Sequence, residues 1–183
     1  MHEQIDRLRD VHERLLLLLE QQSILAEFSC LALEANSTEQ LLKVAPEMAA
    51  RGLRIAYVKA LRYLPDEKQF LIVTGYGWDE DVVGKVKLGA DLESPAGFAF
   101  ATESPVLSNN LGAQDRFRVP KVLVDHGVNS AINVIVNTRQ GRWGVFEADS
   151  KHPDAFTYED TNFLYGFANI LGIALSNADD EEQ

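Results

Sequence analysis

Residues 126–150, HGVNSAINVIVNTRQGRWGVFEADS, leave this chain few ways to fold. β-Branched side chains recur there at strand spacing, at Val128, Ile132, Val134 and Val136, with Ile135 among them. Residues 137–141 break the run, and Gly141 is free to take a positive φ. Trp143, Gly144, Val145 and Phe146 then return as a second strand. Strand side chains alternate between faces, so Val128, Ser130, Ile132, Val134 and Val136 share one side. Asn129, Ala131, Asn133, Ile135 and Asn137 share the other. One face is mostly apolar and the other carries amides at regular intervals. Two arrangements fit: a central hairpin between a core and a small polar-lined cavity, or a sheet with one solvated face.

The flanking segments supply the rest of a single domain, for which 183 residues suffice. Residues 5–34 form one long helical pattern without Gly or Pro. Ile5, Leu8, His12, Leu15, Leu19, Gln22 and Ala26 step by threes and fours as an imperfect heptad seam, which Leu16, Leu17 and Leu18 widen. Such a helix packs either on its own domain or on a second copy. Ser37 and Gln40 form a capping box for a second helix, which Pro46 should kink or shorten and Gly52 should end. Residues 53–64 and 69–74 then read as a hairpin around the turn Pro65-Asp66-Glu67-Lys68, and residues 82–88 as a short third strand. Ser94-Pro95 starts a short helix, residues 105–108 a brief strand, and residues 121–126 another short helix after a polar loop. Thr157 and Asp160 cap a final helix with two adjacent apolar stripes, Phe163, Phe167, Ile170, Ala174 and Leu164, Ala168, Leu171, Leu175. An acidic tail, residues 177–183, is expected to fray.

Composition excludes several functions. A net charge of -11 argues against a nucleic-acid or anionic-membrane surface, and suits a basic protein partner. The single cysteine, Cys30, allows neither an internal disulfide nor a Cys-rich zinc site. The charged first residues and the short Leu15–Leu19 run give neither a signal peptide nor a membrane span, so a cytoplasmic location is expected. His2, His12, His126 and His152 share no metal-ligand spacing. Cys30 stands in a helix among Phe28, Leu31 and Leu33 with no neighbouring base, as a small buried or half-buried hydrophobe rather than a nucleophile. No catalytic or metal site emerges, and no enzyme activity is expected.

The hairpin entry Gly127-Val128, the polar turn, the Gly-hydrophobic return strand and Phe156-Thr157-x-x-Asp160 heading an apolar helix resemble the GAF domain. Asp115-Arg116-Phe117, Gly75-x-Gly77-Trp78 and Pro105-Val106-Leu107 agree with it. The resemblance covers residues 26–176, preceded by a dimerisation or signalling helix over residues 1–35. It implies an α+β fold: a central antiparallel sheet of five or six strands, the N- and C-terminal helices on one face, and short helices and loops over a pocket on the other. It also implies a bacterial sensory module that binds a small-molecule effector, dimerises through its terminal helices and drives a histidine kinase or other output module. Alternatives are a ligand-free dimerisation module and a sensor of haem or a non-covalent chromophore, with His126 as a possible axial ligand or a cap on the preceding helix. A covalent bilin would need a cysteine that residues 109–121 lack, and the cyclic-nucleotide signature lacks its Asn-Lys opening. Cysteine-dependent reduction of free methionine sulfoxide would need several cysteines. The cofactor is left unknown. Asn129 and Asn133 are placed on the pocket floor beside Ile135, with Trp78, Arg116, Phe117 and His126 around it, Arg116 either as an anion clamp if it turns inward or pinning its own loop together with Asp115. Glu147 is a further inward charge that would need a partner.

Overall fold

The computed structural model describes the backbone of residues 1–181 and the side chains of residues 1–178. The elements are α1 (His2–Glu34), α2 (Thr38–Leu53), β1 (Tyr57–Leu64), β2 (Gln69–Tyr76), β3 (Lys87–Gly89), α3 (Pro95–Thr102), β4 (Val106–Ser108), α4 (Lys121–Asp125), β5 (Ser130–Thr138), β6 (Gly141–Ser150) and α5 (Tyr158–Glu181). The backbone is helical through Glu181, while the acidic side chains from Asp179 onward, with Glu182 and Gln183, lie outside the described residues.

Six strands make one antiparallel sheet in the order β3-β2-β1-β6-β5-β4. The β5–β6 hairpin is central because both of its faces are buried. Ile132, Val134, Val136, Phe146 and Ala148 join Phe28 of α1, Leu41 and Ala45 of α2, and Phe163, Phe167 and Leu171 of α5 in one core. Ala131, Ile135 and Val145 join Leu61, Phe70, Phe100 of α3 and Leu123 of α4 in the other. The terminal helices therefore cover one face and the short helices the opposite one. Val128 departs from the expected alternation and packs in the second core, because β5 begins only at Ser130.

Local chemistry corrects three expected boundaries. Pro46 does not end α2: the carbonyl of Leu42, which it leaves without a helical donor, accepts the Thr74 hydroxyl at 2.8 Å. Gly52 does not end it either, since α2 continues to Leu53 and closes at Arg54 in the left-handed region (φ 54°). Gly52 instead makes room for the Phe163 ring, which a Cβ would meet at 2.4 Å. The first strand accordingly starts at Tyr57 rather than at residue 53. Most of residues 82–88 is turn, stitched to β2 by Gly84 N–H donating to Ile72 O at 2.7 Å, and only Lys87–Gly89 is strand. The box at α5 is reciprocal: Thr157 N–H donates to Asp160 Oδ2 (2.9 Å) and Asp160 N–H to Thr157 Oγ1 (3.2 Å).

Helix α1 buries side chains only in its second half, and ahead of them Arg14 pairs with Glu159 of α5. Gln21, Ile24 and Phe28 are its buried residues, and the Gln21 amide donates to Gly52 O at 3.2 Å and Asp160 Oδ1 at 2.9 Å. Toward the N-terminus the seam lies bare, with Leu8 70% and Leu19 66% exposed alongside Ile5 and Leu15. This helix is long and apolar enough to cross a membrane. Its buried face, however, is committed to α2 and α5.

Candidate functional site

The face of the sheet remote from the terminal helices carries three in-register rows of side chains. Leu61, Val145 and Ile135 form an apolar row across β1, β6 and β5. Beside it lies a polar row, Lys59 of β1, Glu147 of β6 and Asn133 of β5, ending at Val106 of β4. The third row is Tyr57, Asp149, Ala131 and Ser108. Lys59, Asn133 and Asp149 are completely buried and Glu147 nearly so. A cluster of charges therefore sits where the neighbouring row supplies ordinary core.

Lys59 holds the cluster together. Its ammonium donates to Asp149 Oδ2 and lies 2.9 Å from Glu147 Oε1. Burial alone would lower its pKa, but the adjacent Asp149 and Glu147 outweigh burial and hold it above the ordinary lysine value. Burial, and then the neighbouring Glu147, push Asp149 well above the usual carboxylate range against the opposing pull of Lys59. Asp149 therefore retains a proton more readily than an ordinary carboxylate.

Aromatic rings roof the cluster. Trp78 stacks at a tilt on Tyr57 (4.9 Å between centroids) and edge-on to His126 (4.8 Å), and the Lys59 ammonium lies 4.5 Å from the centre of its ring. Gly77, at φ +82°, turns the chain so that the indole folds back over Gly75, where a Cβ would come within 2.8 Å of it. His126 Nδ1 is 2.8 Å from Val122 O and Nε2 is 3.3 Å from Asp79 Oδ2, so the imidazole ties α4 to the Trp78 loop. It terminates α4, as one of the two sequence readings held.

Hydrogen-bonding capacity is left over at this site. Both polar atoms of Asn133, Asp149 Oδ1, Trp78 Nε1 and Ser108 Oγ are buried without a partner. Buried polar groups are almost always paired, so several unpaired ones close together set this face apart from the ordinary core beside it. Among the residues singled out from sequence, Asn133 stands in the polar row, Ile135 in the apolar row beside it, and Trp78 and His126 in the roof. Phe117 is buried one layer out, in a small cluster with Val106 and Ala99. Asn129 is not on the floor: it is half-buried at the end of the sheet, its amide donating to Lys151 O at 3.0 Å. Nor does Arg116 turn inward, because its guanidinium lies exposed over the Phe98 and Phe117 rings (5.0 and 4.6 Å). The expected open pocket is instead shut beneath its roof. Pockets of about 520 and 340 Å³ open elsewhere, the first between α1 and α2 and the second beside Arg54, Tyr57 and Lys151.

The sequence profile of the GAF domain matches residues 35–176, which is most of the chain. The chain belongs to the GAF domain family. Solved GAF folds superpose on it over nearly their whole length. The GAF domain of an Acinetobacter phosphoenolpyruvate-protein phosphotransferase has a TM-score of 0.75 at 20% identity, covering 87% of this chain and 95% of that one. Free methionine-R-sulfoxide reductase from Neisseria meningitidis, in complex with its substrate, has a TM-score of 0.75 at 15% identity, covering 87% and 90%. A segment of a methyl-accepting chemotaxis protein has a TM-score of 0.69 at 14% identity, covering 83% and 96%. No curated protein sequence matches this GAF protein. At these identities the structural likenesses establish the fold alone.

Proposed function

We propose that this GAF domain is a cytoplasmic sensory module. It binds a small effector against the Lys59–Glu147–Asn133 row and passes the change to its terminal helices. The observation that carries this reading is Asn133, wholly buried with neither polar atom bonded, in register with a buried ion cluster. An unpaired amide costs stability (about 1–3 kcal/mol), and an effector that uses it repays that cost. Binding requires the Trp78–His126 roof to lift, and a ligand that bonds Asn133 biases the roof's open and closed populations.

A route outward runs along the hairpin. Ser176 of α5 accepts the Arg139 N–H at the β5–β6 turn at 2.9 Å, and Gly172 lets Asn137 O approach so closely that a Cβ would lie 2.0 Å from it. A shift of β5 at Asn133 is therefore felt at α5. The exposed seam of α1 and the apolar groove lined by Leu33, Ile170 and Ile173 suit pairing with a second copy, and the output is a histidine kinase or another signalling module. Cys30, the chain's single cysteine, is exposed on α1 rather than buried or half-buried as its apolar neighbours led one to expect, and it stands outside the sheet face that carries the polar row.

The test is thermal unfolding in the presence of fractionated small metabolites. A fraction that raises the midpoint of the wild type but not of Asn133→Leu supports the site. Active fractions that raise both equally refute it.

A further inference from the structure

Charge balance in the buried cluster restricts what the site can accept. Fully ionised, Lys59, Glu147 and Asp149 sum to one negative charge, in a place without solvent exposure. Nearby cations are committed elsewhere. Arg116 lies exposed over Phe98 and Phe117, Arg118 is paired with Asp91 and Glu93, and Lys151 is exposed, its ammonium 5.6 Å from the Tyr57 ring. Among the described residues the buried cation is Lys59 alone, already shared by two carboxylates, so an anionic ligand beside it would leave three buried negative charges against one positive. A neutral ligand leaves the imbalance unchanged unless a proton stays behind. A cation closes the sum with both carboxylates ionised.

The surroundings suit one. Trp78 already carries an ammonium 4.5 Å from its ring centre and Tyr57 adds a second π face beside it, the setting in which aromatic rings attract cations. Asp149 Oδ1 and Asn133 Oδ1 are both unpartnered acceptors on the same sheet face. They belong to diagonal positions of β6 and β5, with only the methyl of Ala131 opposite Asp149. That spacing offers two acceptors to a group with two N–H donors.

We propose that the site selects a small organic cation of the amidinium or guanidinium kind, its N–H groups on Asp149 and Asn133 and its body under Trp78. The proposal rests on reading this face as the effector site. Without a ligand, the carboxylate pair retains a proton in the cation's place, and binding expels it. The charged and titratable groups around Asp149 are Lys59 and Tyr57 of β1 and Glu147 of its own strand, with His126, bonded to Asp79, beyond the rings.

An isosteric series tests the idea: benzamidinium, benzamide and benzoate, titrated by calorimetry and by the Trp78 indole N–H resonance of the intact chain. Benzamidinium is expected to bind at least about tenfold more tightly than benzamide, with benzoate weakest, and to bind more tightly as the pH rises. Asp149→Asn should bring benzamidinium down to the affinity of benzamide. Glu147→Gln, which keeps the Lys59–Asp149 pair, should narrow the same gap if the first variant does not fold. Benzoate binding as well as benzamidinium, or no benzamidinium binding at all, overturns the cation proposal. Binding by any of the three that survives Asn133→Leu overturns the site itself, so the two failures are distinguishable.

Discussion

Replacing Lys59 by methionine interrogates the buried cluster directly. Met is close in length and apolar, so the packing beneath Trp78 is largely kept while the charge is removed. Lys59 is completely buried and bridges Glu147 and Asp149, so its loss strands two carboxylates in the core. Breaking a buried pair by deleting one partner costs about 3–5 kcal/mol. A domain of ordinary stability, about 5–15 kcal/mol, remains folded after that loss. The deficit should depend on pH with a definite sign. Without the ammonium, the folded-state pKa of Asp149, already raised by burial, lies further above its unfolded value of about 4. Stability is then fully present below the unfolded value and lost as the pH rises through the folded one, so the deficit grows from acid toward neutral pH. In the wild type Lys59 carries the same sign at a higher pH. Its raised pKa means that its contribution persists at neutral pH and disappears only as the pH climbs through that raised value, a loss the variant cannot show. Urea unfolding followed by circular dichroism at acid, neutral and alkaline pH measures all three points. A loss below about 1 kcal/mol at neutral pH, the size expected of a surface pair, or a loss independent of pH, would refute the reasoning.

Other substitutions test the remaining parts of the account. Asn133→Leu removes two unpaired buried polar atoms and should raise stability by about 1–3 kcal/mol in urea unfolding; a loss would mean the amide is paired in solution. Leu15→Glu with Leu19→Glu should convert a dimer to a monomer in sedimentation without altering the sheet, since each exposed leucine that becomes buried contributes about 1.5–3 kcal/mol; a wild-type monomer would end the dimer proposal. Gly172→Ala places a Cβ 2.0 Å from Asn137 O and should part α5 from the hairpin turn, lowering the unfolding midpoint and speeding hydrogen exchange at Arg139; an unchanged Arg139 would break the proposed route.

The sequence was legible where periodicity decides structure. Alternation in residues 126–150 identified a hairpin buried on one side, and the repeat of Asn on the other pointed to Asn133, because a plain core would hold Val or Ile there. Glu147 was readable as an inward charge in need of a partner. That partner, Lys59, went unnoticed although it alternates with Val58 and Ala60 in a strand otherwise fit for a core. A lysine there reads as a surface residue unless the pairing of β1 with β6 is known, and pairing is a long-range fact. Asp149, two residues beyond Glu147 on the same face, was missed for the same reason. The direction of Arg116 is not legible because an arginine beside a phenylalanine has no fixed orientation, and its guanidinium finds the outer side of the rings. Asn129 shares the parity of Asn133 but precedes the start of β5, where alternation no longer governs.

The central claim, that the roofed polar row is an effector site, is tested most directly by native mass spectrometry of freshly purified wild type and Asn133→Leu. The wild type should carry an added small-molecule mass that the variant lacks. Identical ligand-free masses for both proteins, or the same adduct on both, would contradict the account.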